Sequence, residues 1–580
     1  MLRAAAVIEF VQIVICYLIV GALSLSFLHG ITLRLAKAGV PDGVAPVAAF
    51  IVSGIVAYPA LFLNIASKPA GYAYSIIVAL VSIAWFRPAA FRPSPFLFAF
   101  ACGLAYLAAL HLFDTELALR ELPEHIFFEM PRPGDHLLPY TYAFKVLGGG
   151  PERFGMSGGW HFTDRPPLET SFLLMFRPFA KLVDLSVLYQ AVGTMLQVSC
   201  LAATWYLCRA LRLRAGETRL VLLTLAGSGF IYYNSVYLWP KLLAAAYVIG
   251  ALVPLAVALT ERRKLTPGET GVAAAGCALA LLSHGGVAFS ILALAILAAV
   301  FAARLFTLRG ALTGVAVAVA LYLPWQAYTT FVDPNAGKLL KMHLTNGDPD
   351  SPESFGTLLK KAYTSITFDQ WLSSRASNLT VLAGAPYVDA VTLQIARGLA
   401  GGERRPLVSN GHDNAIQPQG LDYSIASLAT VLRIDQREFF LRALGPMTLG
   451  LLIVPFLLLP RLRQRLSAPG IGALILLELV TVVVWAVVNF NPGANVLTHA
   501  SYALVVLAYL ISASLLWRLS PALGWTIGFA SIVSSIVLWV VFVPGPMIAQ
   551  PRFDWLAAVA LATGAVAAVR LSREPLASAQ

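Results

Sequence analysis

The sequence predicts an all-α polytopic membrane protein with about fifteen spanning helices. Of its 580 residues, 58% are hydrophobic and only 12% are charged, about half the charge of an ordinary soluble domain. Mean hydropathy is correspondingly high, at +0.75. Apolar runs of about 20 residues recur along the chain, which is the length that crosses about 30 Å of hydrocarbon. The runs are unbroken rather than alternating, so the spans are predicted to be helices and not barrel strands.

The apolar runs also divide the chain into regions. The predicted spans are 7–29, 44–65, 72–86, 95–113, 185–208, 220–236, 242–260, 268–283, 287–303, 310–325, 441–460, 469–489, 498–517, 521–544 and 554–570. Residues 1–94 form additional N-terminal transmembrane helices, 95–325 a transmembrane core, and 441–580 the C-terminal transmembrane helices. Two long polar segments interrupt the spans: a loop over 114–184 and a small domain over 326–440.

The basic residues predict the orientation. The net charge is +12, and alternating spans place the basic clusters on one face, which include Arg34 and Lys37, Arg209 to Arg219, Arg262 to Lys264, Arg461 to Arg465, and Arg570. The positive-inside bias makes this face cytoplasmic, which puts the N-terminus in the periplasm and the C-terminus in the cytoplasm of a bacterial inner membrane. The first span is then a reversed signal anchor. Both polar segments are periplasmic, and nucleic acid is not an expected partner.

The first polar segment opens with two acids. Asp114 and Glu116 follow the span 95–113 directly. An acid at the boundary between water and lipid can act as a general base toward a hydroxyl nucleophile, which makes Asp114 the predicted catalytic residue. Glu116 could share or replace that role. The alternative is a carboxylate that is merely exposed to water at a helix end.

The same segment holds further candidates for binding a substrate. Asp135 and His136 lie together, and Trp160 precedes Asp164 and Arg165 by a few residues. Two prolines follow Arg165, and a proline holds the preceding residue in an extended backbone. The alternative for both aspartates is that they cap helices or pair with neighbouring arginines. The stretch 168–183 is predicted to be an amphipathic helix at the membrane interface.

Cationic groups from other loops are predicted to lie at the same depth. Lys241 follows Trp239-Pro240 at the start of a span, and His284 lies at a turn between two spans. His499 and Tyr502 belong to the tract 491–502, which overlaps the start of the span 498–517. A lone lysine at such a place can instead extend to lipid headgroups, and a lone histidine can simply be solvated. Four cations from separate loops, with Arg165 as the fourth, would suit a phosphate bound at the membrane surface.

The cysteines predict no metal site. All five lie inside or beside apolar runs, and none has the paired spacing of a zinc site. A divalent cation near Asp114 and Glu116 is left open by the sequence.

These features resemble the GT-C membrane glycosyltransferases, which use polyprenyl-phosphate sugars, and in particular the group of aminoarabinose transferases and protein O-mannosyltransferases. The likeness rests on the span that ends in Asp114-Thr115-Glu116, the long first loop, the tract from Trp160 through Asp164-Arg165-Pro166-Pro167-Leu168, and a large outer segment in the C-terminal half. It covers 95–330 best. The family's acidic loop usually follows the first span, whereas here it follows the fourth, so 1–94 would be an addition.

The resemblance implies a mechanism. Asp114 would take the proton of an acceptor hydroxyl, which attacks the anomeric carbon with inversion. The lipid phosphate would leave, stabilised by Arg165, Lys241, His284 or His499, and no metal is required. The segment 326–440 would help to recognise the acceptor, which could be a glycan, a glycolipid or a protein. Membrane lipid is a further expected partner.

Two other functions are compatible with the sequence. A lipid-linked polysaccharide polymerase or ligase also carries large outer loops, but is expected to rely on Arg and His rather than on an acid at the end of a span. A transporter or flippase of lipid-linked sugars would place charges near the middle of the bilayer. The spans here are largely free of central charges, which favours chemistry at the surface. A structural scaffold would leave the acids and bases of one loop unexplained.

Overall fold

The computed structural model describes residues 2–92, 94–114, 135–148, 162–333, 338–345, 347–348, 351–382, 386–401, 408–409, 416–417, 425–466, 470–490, 501–542 and 552–573. In this part of the chain the architecture is helical, apart from two pairs of two-residue strands. Phe113–Asp114 pairs antiparallel with Arg552–Phe553, and Val408–Ser409 pairs with Ile416–Gln417. The prediction of an all-α polytopic protein is confirmed at this level.

The described helices are more numerous than the predicted spans, because several of them are short or lie in the two polar segments. Those of the first half are Leu2–Lys37, Ala45–Ala57, Pro59–Ala66, Lys68–Ala84, Pro95–Leu110, Leu138–Val146, Leu168–Met175, Leu185–Ala210, Ala215–Ala226, Gly229–Val236, Lys241–Thr260 and Pro267–Ser283. Those of the second half are Ala288–Val300, Ala302–Leu305, Leu308–Phe331, Lys338–Thr345, Phe355–Thr364, Phe368–Thr380, Pro386–Gly401, Ile425–Glu438, Phe440–Ala443, Thr448–Leu451, Pro460–Leu466, Ile471–Val488, Tyr502–Leu519, Pro521–Ile536 and Trp555–Leu571.

Eight stretches of the described chain are long and apolar enough to cross a membrane. They are Ile8–Lys37, Ala45–Ala66, Leu185–Ala210, Lys241–Thr260, Leu308–Phe331, Ile471–Val488, Tyr502–Leu519 and Pro521–Val541. Shorter apolar helices, such as Pro95–Leu110 and Trp555–Leu571, lie among them. Multiple spans are therefore supported, and the larger count of about fifteen stays a prediction.

Three of the described helices begin at a serine or threonine followed by proline. The side chains of Ser94, Thr266 and Ser520 each accept a hydrogen bond from the third backbone N–H of the helix that follows. Proline fits the first helical position because that position needs no N–H donor. The hydroxyl cap satisfies one of the N–H groups that a helix start leaves without a partner. The spans thus begin where the local sequence dictates.

Burial separates central helices from peripheral ones. In Lys241–Thr260, 94% of the apolar stretch is buried, and in Leu185–Ala210 the share is 83%. In Leu308–Phe331 only 17% is buried, and Leu312, Val315 and Val319 on this helix are exposed. An exposed apolar face on a long helix suits contact with lipid. The two central helices form the core against which the site described below is built.

The second polar segment docks on the ends of membrane helices. Arg375 of Phe368–Thr380 donates to the carbonyl oxygens of Val487 at 2.5 Å and Phe490 at 3.2 Å. The Asn378 amide donates to the carbonyls of Ala486 and Asn489 at 2.9 and 2.8 Å. The last carbonyls of a helix have no partner within the helix. A cation placed there also interacts favourably with the negative end of the helix dipole. This segment therefore caps the helix Ile471–Val488.

Three local predictions need correction. The stretch 168–183 is not an interfacial amphipathic helix, because Leu168–Met175 is buried at every position and the chain then continues as the 3-10 turn Arg177–Lys181. The predicted span 220–236 is divided into Ala215–Ala226 and Gly229–Val236 by a break at Gly227 and Ser228. The predicted span 441–460 consists of short helical turns instead of one helix.

Candidate functional site

A turn with a left-handed residue positions the site. Leu238 has a φ of 60°, which is uncommon for a residue with a branched side chain. Trp239 and Pro240 follow, and Lys241 begins the most deeply buried span. The Tyr189 hydroxyl lies 3.4 Å from the Leu238 carbonyl and also reaches the carbonyl of His136. Strained residues held by surrounding contacts are concentrated at functional sites.

Lys241 is enclosed by aromatic rings. Its side chain is only 3% exposed, and Nζ lies 3.4 Å from the centre of the Trp239 ring and 5.2 Å from that of Tyr502. Removing an ammonium from water is costly, and the negative faces of aromatic rings return part of that cost. A lysine buried in this way at the start of a helix gives a region of positive potential, to which the N-terminal end of the helix dipole adds.

His284 and Tyr502 complete what we call the Lys241 cluster, namely Trp239, Lys241, His284, Tyr502 and Asn234. The His284 ring lies 6.0 Å from the Trp239 ring, and its Nδ1 accepts the Gly286 N–H at 3.0 Å. A neutral ring with Nδ1 as acceptor carries its proton on Nε2, which is then a donor. The Tyr502 hydroxyl donates to Asn234 Oδ1 at 2.8 Å. Three of the predicted site residues, Lys241, His284 and Tyr502, are thus brought together from three separate parts of the chain.

Both polar segments reach this cluster through neighbouring tyrosines. From the first segment, the buried His136 ring lies 4.4 Å from the Tyr237 ring, between ring centres. From the second segment, the Arg437 guanidinium lies 5.9 Å from the Tyr233 ring and 5.8 Å from the Tyr237 ring. The helix that carries Arg437 is itself fixed, since Arg433 on it donates to the Leu538 carbonyl at 2.8 Å. The cluster is therefore flanked by one cation and one imidazole from distant segments.

Asp164 and Arg165 lie at a second junction between the two polar segments. Both are buried, and Asp164 Oδ1 accepts the backbone N–H of Lys338 at 3.2 Å. The neighbouring Thr163 hydroxyl is hydrogen-bonded to the Asp333 carboxylate. This hydrogen bond of Asp164 joins the two polar segments, and its role in binding a substrate stays a prediction.

The acids of the first segment are only partly described. The backbone of Asp114 lies opposite Arg552 in the short strand pair. The side chains of Asp114 and Asp135 lie outside the described part of the chain, as do Glu116, Trp160 and His499 altogether. The helix that leads to Asp114 does approach the cluster: the Tyr106 ring lies 5.6 Å from that of Tyr232, next to Tyr233.

Glu169 and Glu478 are buried carboxyls that were not among the predicted site residues. Glu169 is 1% exposed and accepts the Gln197 amide at 3.3 Å, while Gln197 Oε1 accepts the Leu243 N–H at 3.0 Å. Burial raises the pKa of the Glu169 carboxyl. Gln197 therefore joins this carboxyl to the first turn of the helix that Lys241 begins. The signal for Glu169 was an acid within an apolar stretch after Pro166-Pro167, whose polar neighbours had suggested a surface helix.

Glu478 is the second carboxyl. It is buried within the helix Ile471–Val488, and among the described residues neither of its oxygens has a hydrogen-bond partner. Its sequence signal is plain, because it is the single acid in an otherwise apolar run. Ionisable residues inside a membrane are costly and commonly functional.

A comparison of the chain with known proteins found no matching family model, curated protein or solved structure. The geometry of the residues is thus the basis for assigning a function. Within the described ranges, no three His, Cys, Asp or Glu side chains are grouped so that they could hold a metal ion.

Proposed function

We propose that this chain is a membrane glycosyltransferase that moves a sugar from a polyprenyl phosphate to an acceptor hydroxyl at the periplasmic face, with inversion at the anomeric carbon. The observation that supports this most is the enclosure of Lys241, a buried cation that lies against Trp239 and Tyr502 beside a histidine. A buried cation of this kind is suited to binding a phosphate group while the lipid tail of the donor stays in the bilayer.

The chemistry needs a group that stabilises the departing phosphate. As the bond between the anomeric carbon and the phosphate oxygen breaks, negative charge grows on that oxygen. Lys241 supplies the positive charge, and Nε2 of a neutral His284 supplies a hydrogen-bond donor. Fixed donors and charges in a site without water are most effective where charge develops in the transition state. Tyr502 keeps the aromatic wall in place, because its hydroxyl is held by Asn234.

The attacking side requires a base. In this proposal the Asp114 carboxylate accepts the proton of the acceptor hydroxyl while the oxygen attacks the anomeric carbon. The contact between Tyr106 and Tyr232 supports this role, because it brings the helix that leads to Asp114 against the helix that carries Asn234. Arg437 and His136 lie at the edge of the same region, where an acceptor would enter. The acceptor itself could be a glycan, a glycolipid or a protein.

Binding of a lipid phosphate tests the proposal directly. Purified full-length chain in neutral detergent is titrated with decaprenyl phosphate and with decaprenol, which lacks the phosphate. We expect decaprenyl phosphate to bind at least tenfold more tightly, and Lys241→Met to remove the difference. Lys264→Met, at an exposed site, is the matched control. Equal binding of the two lipids by the wild-type chain would overturn the proposal.

Glu478 favours a second function, that of a transporter for lipid-linked sugars. A carboxyl buried within a membrane helix can carry a proton or bind a cation during transport. In liposomes, a transporter would move a polyprenyl-phosphate sugar across the bilayer in response to a pH gradient, and Glu478→Gln would stop it. Sugar transfer in detergent, where no gradient exists, together with wild-type transfer by Glu478→Gln, would instead exclude this role for Glu478.

A further inference from the structure

An apolar cavity lies among the N-terminal helices, away from the Lys241 cluster. It encloses about 830 Å³, including its open mouth, and is lined by side chains such as Val78, Phe96, Phe100, Met175 and Met195. The helices Leu2–Lys37, Ala45–Ala57, Lys68–Ala84, Pro95–Leu110 and Leu185–Ala210 contribute to its walls.

The cavity has little to offer a polar ligand. Three of its serine hydroxyls donate to carbonyls of their own helices: Ser53 to Phe50, Ser82 to Val78 and Ser199 to Leu196. Their hydrogen-bonding capacity is therefore largely used within the wall. The remaining lining is almost entirely hydrocarbon and aromatic, so the matching occupant is a hydrocarbon chain.

Basic residues gather at one end of this cavity, where its wall ends at Phe176. Arg177 is the next residue, and its guanidinium lies 5.2 Å from the Tyr72 ring, while Lys181 Nζ lies 4.6 Å from the same ring. Lys68, which begins the helix of Tyr72, lies close by, since the Arg177 guanidinium donates to its carbonyl at 3.0 Å. We call these three cations the basic rim.

The rim is not neutralised by acids in the part of the chain that the structure describes. Arg177 donates to two neutral acceptors, the Asn64 side chain and the Lys68 carbonyl, and no described carboxylate forms an ion pair with any rim residue. The rim is also fixed in place relative to the cavity. The Ser75 hydroxyl donates to the Leu174 carbonyl at 3.0 Å and so joins the helix of Tyr72 to the wall.

The cavity and the Lys241 cluster lie on different sides of one helix. On Leu185–Ala210, Met195 and Ser199 line the cavity, whereas Gln197 contacts Leu243 in the helix that Lys241 begins. A lipid whose phosphate is at the Lys241 cluster would therefore not be the molecule held at the rim.

We propose that the cavity and the basic rim together bind an anionic phospholipid of the bilayer, with one acyl chain in the cavity and the phosphate against Arg177, Lys181 and Lys68. Charge complementarity selects the headgroup, because each basic residue near a membrane surface adds about 1 kcal/mol of attraction to an anionic lipid. From Tyr72 to Val78 the helix rises by roughly 9 Å, so a chain that begins at the rim reaches the cavity within its first few bonds. This inference does not depend on the proposed transferase function.

The test uses the full chain in neutral detergent and measures its unfolding temperature during titration with lipid. We expect dioleoyl phosphatidylglycerol to stabilise the protein at lower concentration than dioleoyl phosphatidylcholine. Lys181→Gln should weaken the response to phosphatidylglycerol about fivefold, which corresponds to about 1 kcal/mol. Arg87→Gln is the matched control, since this arginine is also exposed but lies beyond the other end of the helix of Tyr72.

Several outcomes would overturn the inference. Equal stabilisation by the two phospholipids would show that the site does not select for an anionic headgroup. Equal effects of Lys181→Gln and Arg87→Gln would show that the basic rim does not bind the headgroup. If decaprenyl phosphate proved the tighter ligand and its binding were the one reduced by Lys181→Gln, the occupant would be a polyprenyl lipid and the phospholipid assignment would be wrong.

A comparison of two acyl-chain lengths tests the role of the cavity. Wild-type chain should respond to the dioleoyl lipid far more strongly than to dihexanoyl phosphatidylglycerol, because only the longer chain fills the cavity. Ala79→Phe places a ring in the cavity and should reduce this preference for long chains. An equal response of the wild-type chain to both acyl-chain lengths would show that no acyl chain occupies the cavity. This conclusion does not require the variant to fold.

Discussion

The Lys241 cluster and the basic rim both place a lysine over an aromatic ring, but they do so in opposite surroundings. Lys241 is 3% exposed and touches Trp239, whereas Lys181 is exposed and lies over Tyr72. A buried ammonium has given up its hydration and depends on groups fixed around it, while an exposed one keeps its water. The buried lysine is therefore suited to a single, precisely placed anion. The exposed lysine is suited to a class of lipids.

The two sites also differ in how the chain builds them. The Lys241 cluster joins the turn over 238–241 to His284 and Tyr502, and its flank adds His136 and Arg437 from the two polar segments. The basic rim uses only the start of one helix and the turn after another. A site assembled from distant segments depends on the whole fold, so changes in it should affect function and stability together.

The largest expected effect is that of Lys241→Met. This change keeps the length and apolar stem of the side chain and removes the charge. If Lys241 stabilises the departing phosphate, transfer from a polyprenyl-phosphate sugar should fall by about 100-fold or more, as on loss of one preorganised electrostatic group. Release of polyprenyl phosphate by the purified chain measures this. Lys264→Met should keep wild-type activity, and a loss of less than twofold in Lys241→Met would exclude the lysine from the reaction.

Tyr502→Phe should have the next largest effect. It leaves Asn234 Oδ1 without its donor in a buried place, which costs about 1–3 kcal/mol of folding free energy. The same ring forms part of the wall around Lys241, so the loss should also weaken the site. A loss of about 1.4 kcal/mol in transition-state stabilisation corresponds to a tenfold lower rate of transfer, and we expect an effect of about this size.

Tyr509→Phe is a matched control on the same helix. The Tyr509 hydroxyl donates to the Ala443 carbonyl at 3.0 Å and is buried to the same degree as that of Tyr502. Both variants should lower the unfolding temperature, but only Tyr502→Phe should lower the rate of transfer in the folded fraction. If the two variants lose activity equally, Tyr502 acts only through stability.

These contacts also mark the limit of what the sequence predicts. The position of Lys241 at the start of a span followed from the apolar run after Trp239-Pro240, because local composition determines where a span begins. The contact of its ammonium with Tyr502 could not be predicted, since it joins parts of the chain that are far apart in sequence. Pairings of that kind depend on how helices pack and leave no local periodic pattern.

Leu168–Met175 shows how a local pattern can mislead. Its mixture of Glu, Thr and Ser with apolar residues predicts a surface helix, yet every residue is buried. The polar side chains find partners inside the bundle instead: the Thr170 hydroxyl donates to the Pro139 carbonyl at 3.3 Å, and that of Ser171 to the Pro167 carbonyl at 2.9 Å. Polarity predicts exposure only where no internal partner exists.

Glu169→Gln should have a moderate effect that depends on pH. Burial raises the pKa of this carboxyl, so the folded chain holds the proton more tightly than the unfolded chain does. The wild-type chain should then lose stability as the pH rises from the ordinary carboxyl range toward the raised value. Glutamine does not titrate. The unfolding temperature of the variant should therefore exceed that of the wild type by a few degrees at pH 8 and by less at pH 5.

The measurement is the unfolding temperature of both proteins across this pH range. Glu261→Gln, which removes an exposed carboxylate, should keep the slope of the wild-type chain. Identical slopes for the wild type and Glu169→Gln would mean that Glu169 does not hold a proton in the folded chain.

The smallest expected effect is a difference in the response to salt, and it separates the two lysine sites directly. Raising KCl from about 10 mM to about 1 M shortens the Debye length from about 30 Å to about 3 Å. Binding of phosphatidylglycerol at the exposed rim should weaken several-fold across this range. Binding of decaprenyl phosphate should change by less than twofold, because salt screens a buried charge much less than an exposed one. If both lipids respond to salt alike, then burial does not distinguish the two sites, and Lys241 meets its ligand in open water as Lys181 does.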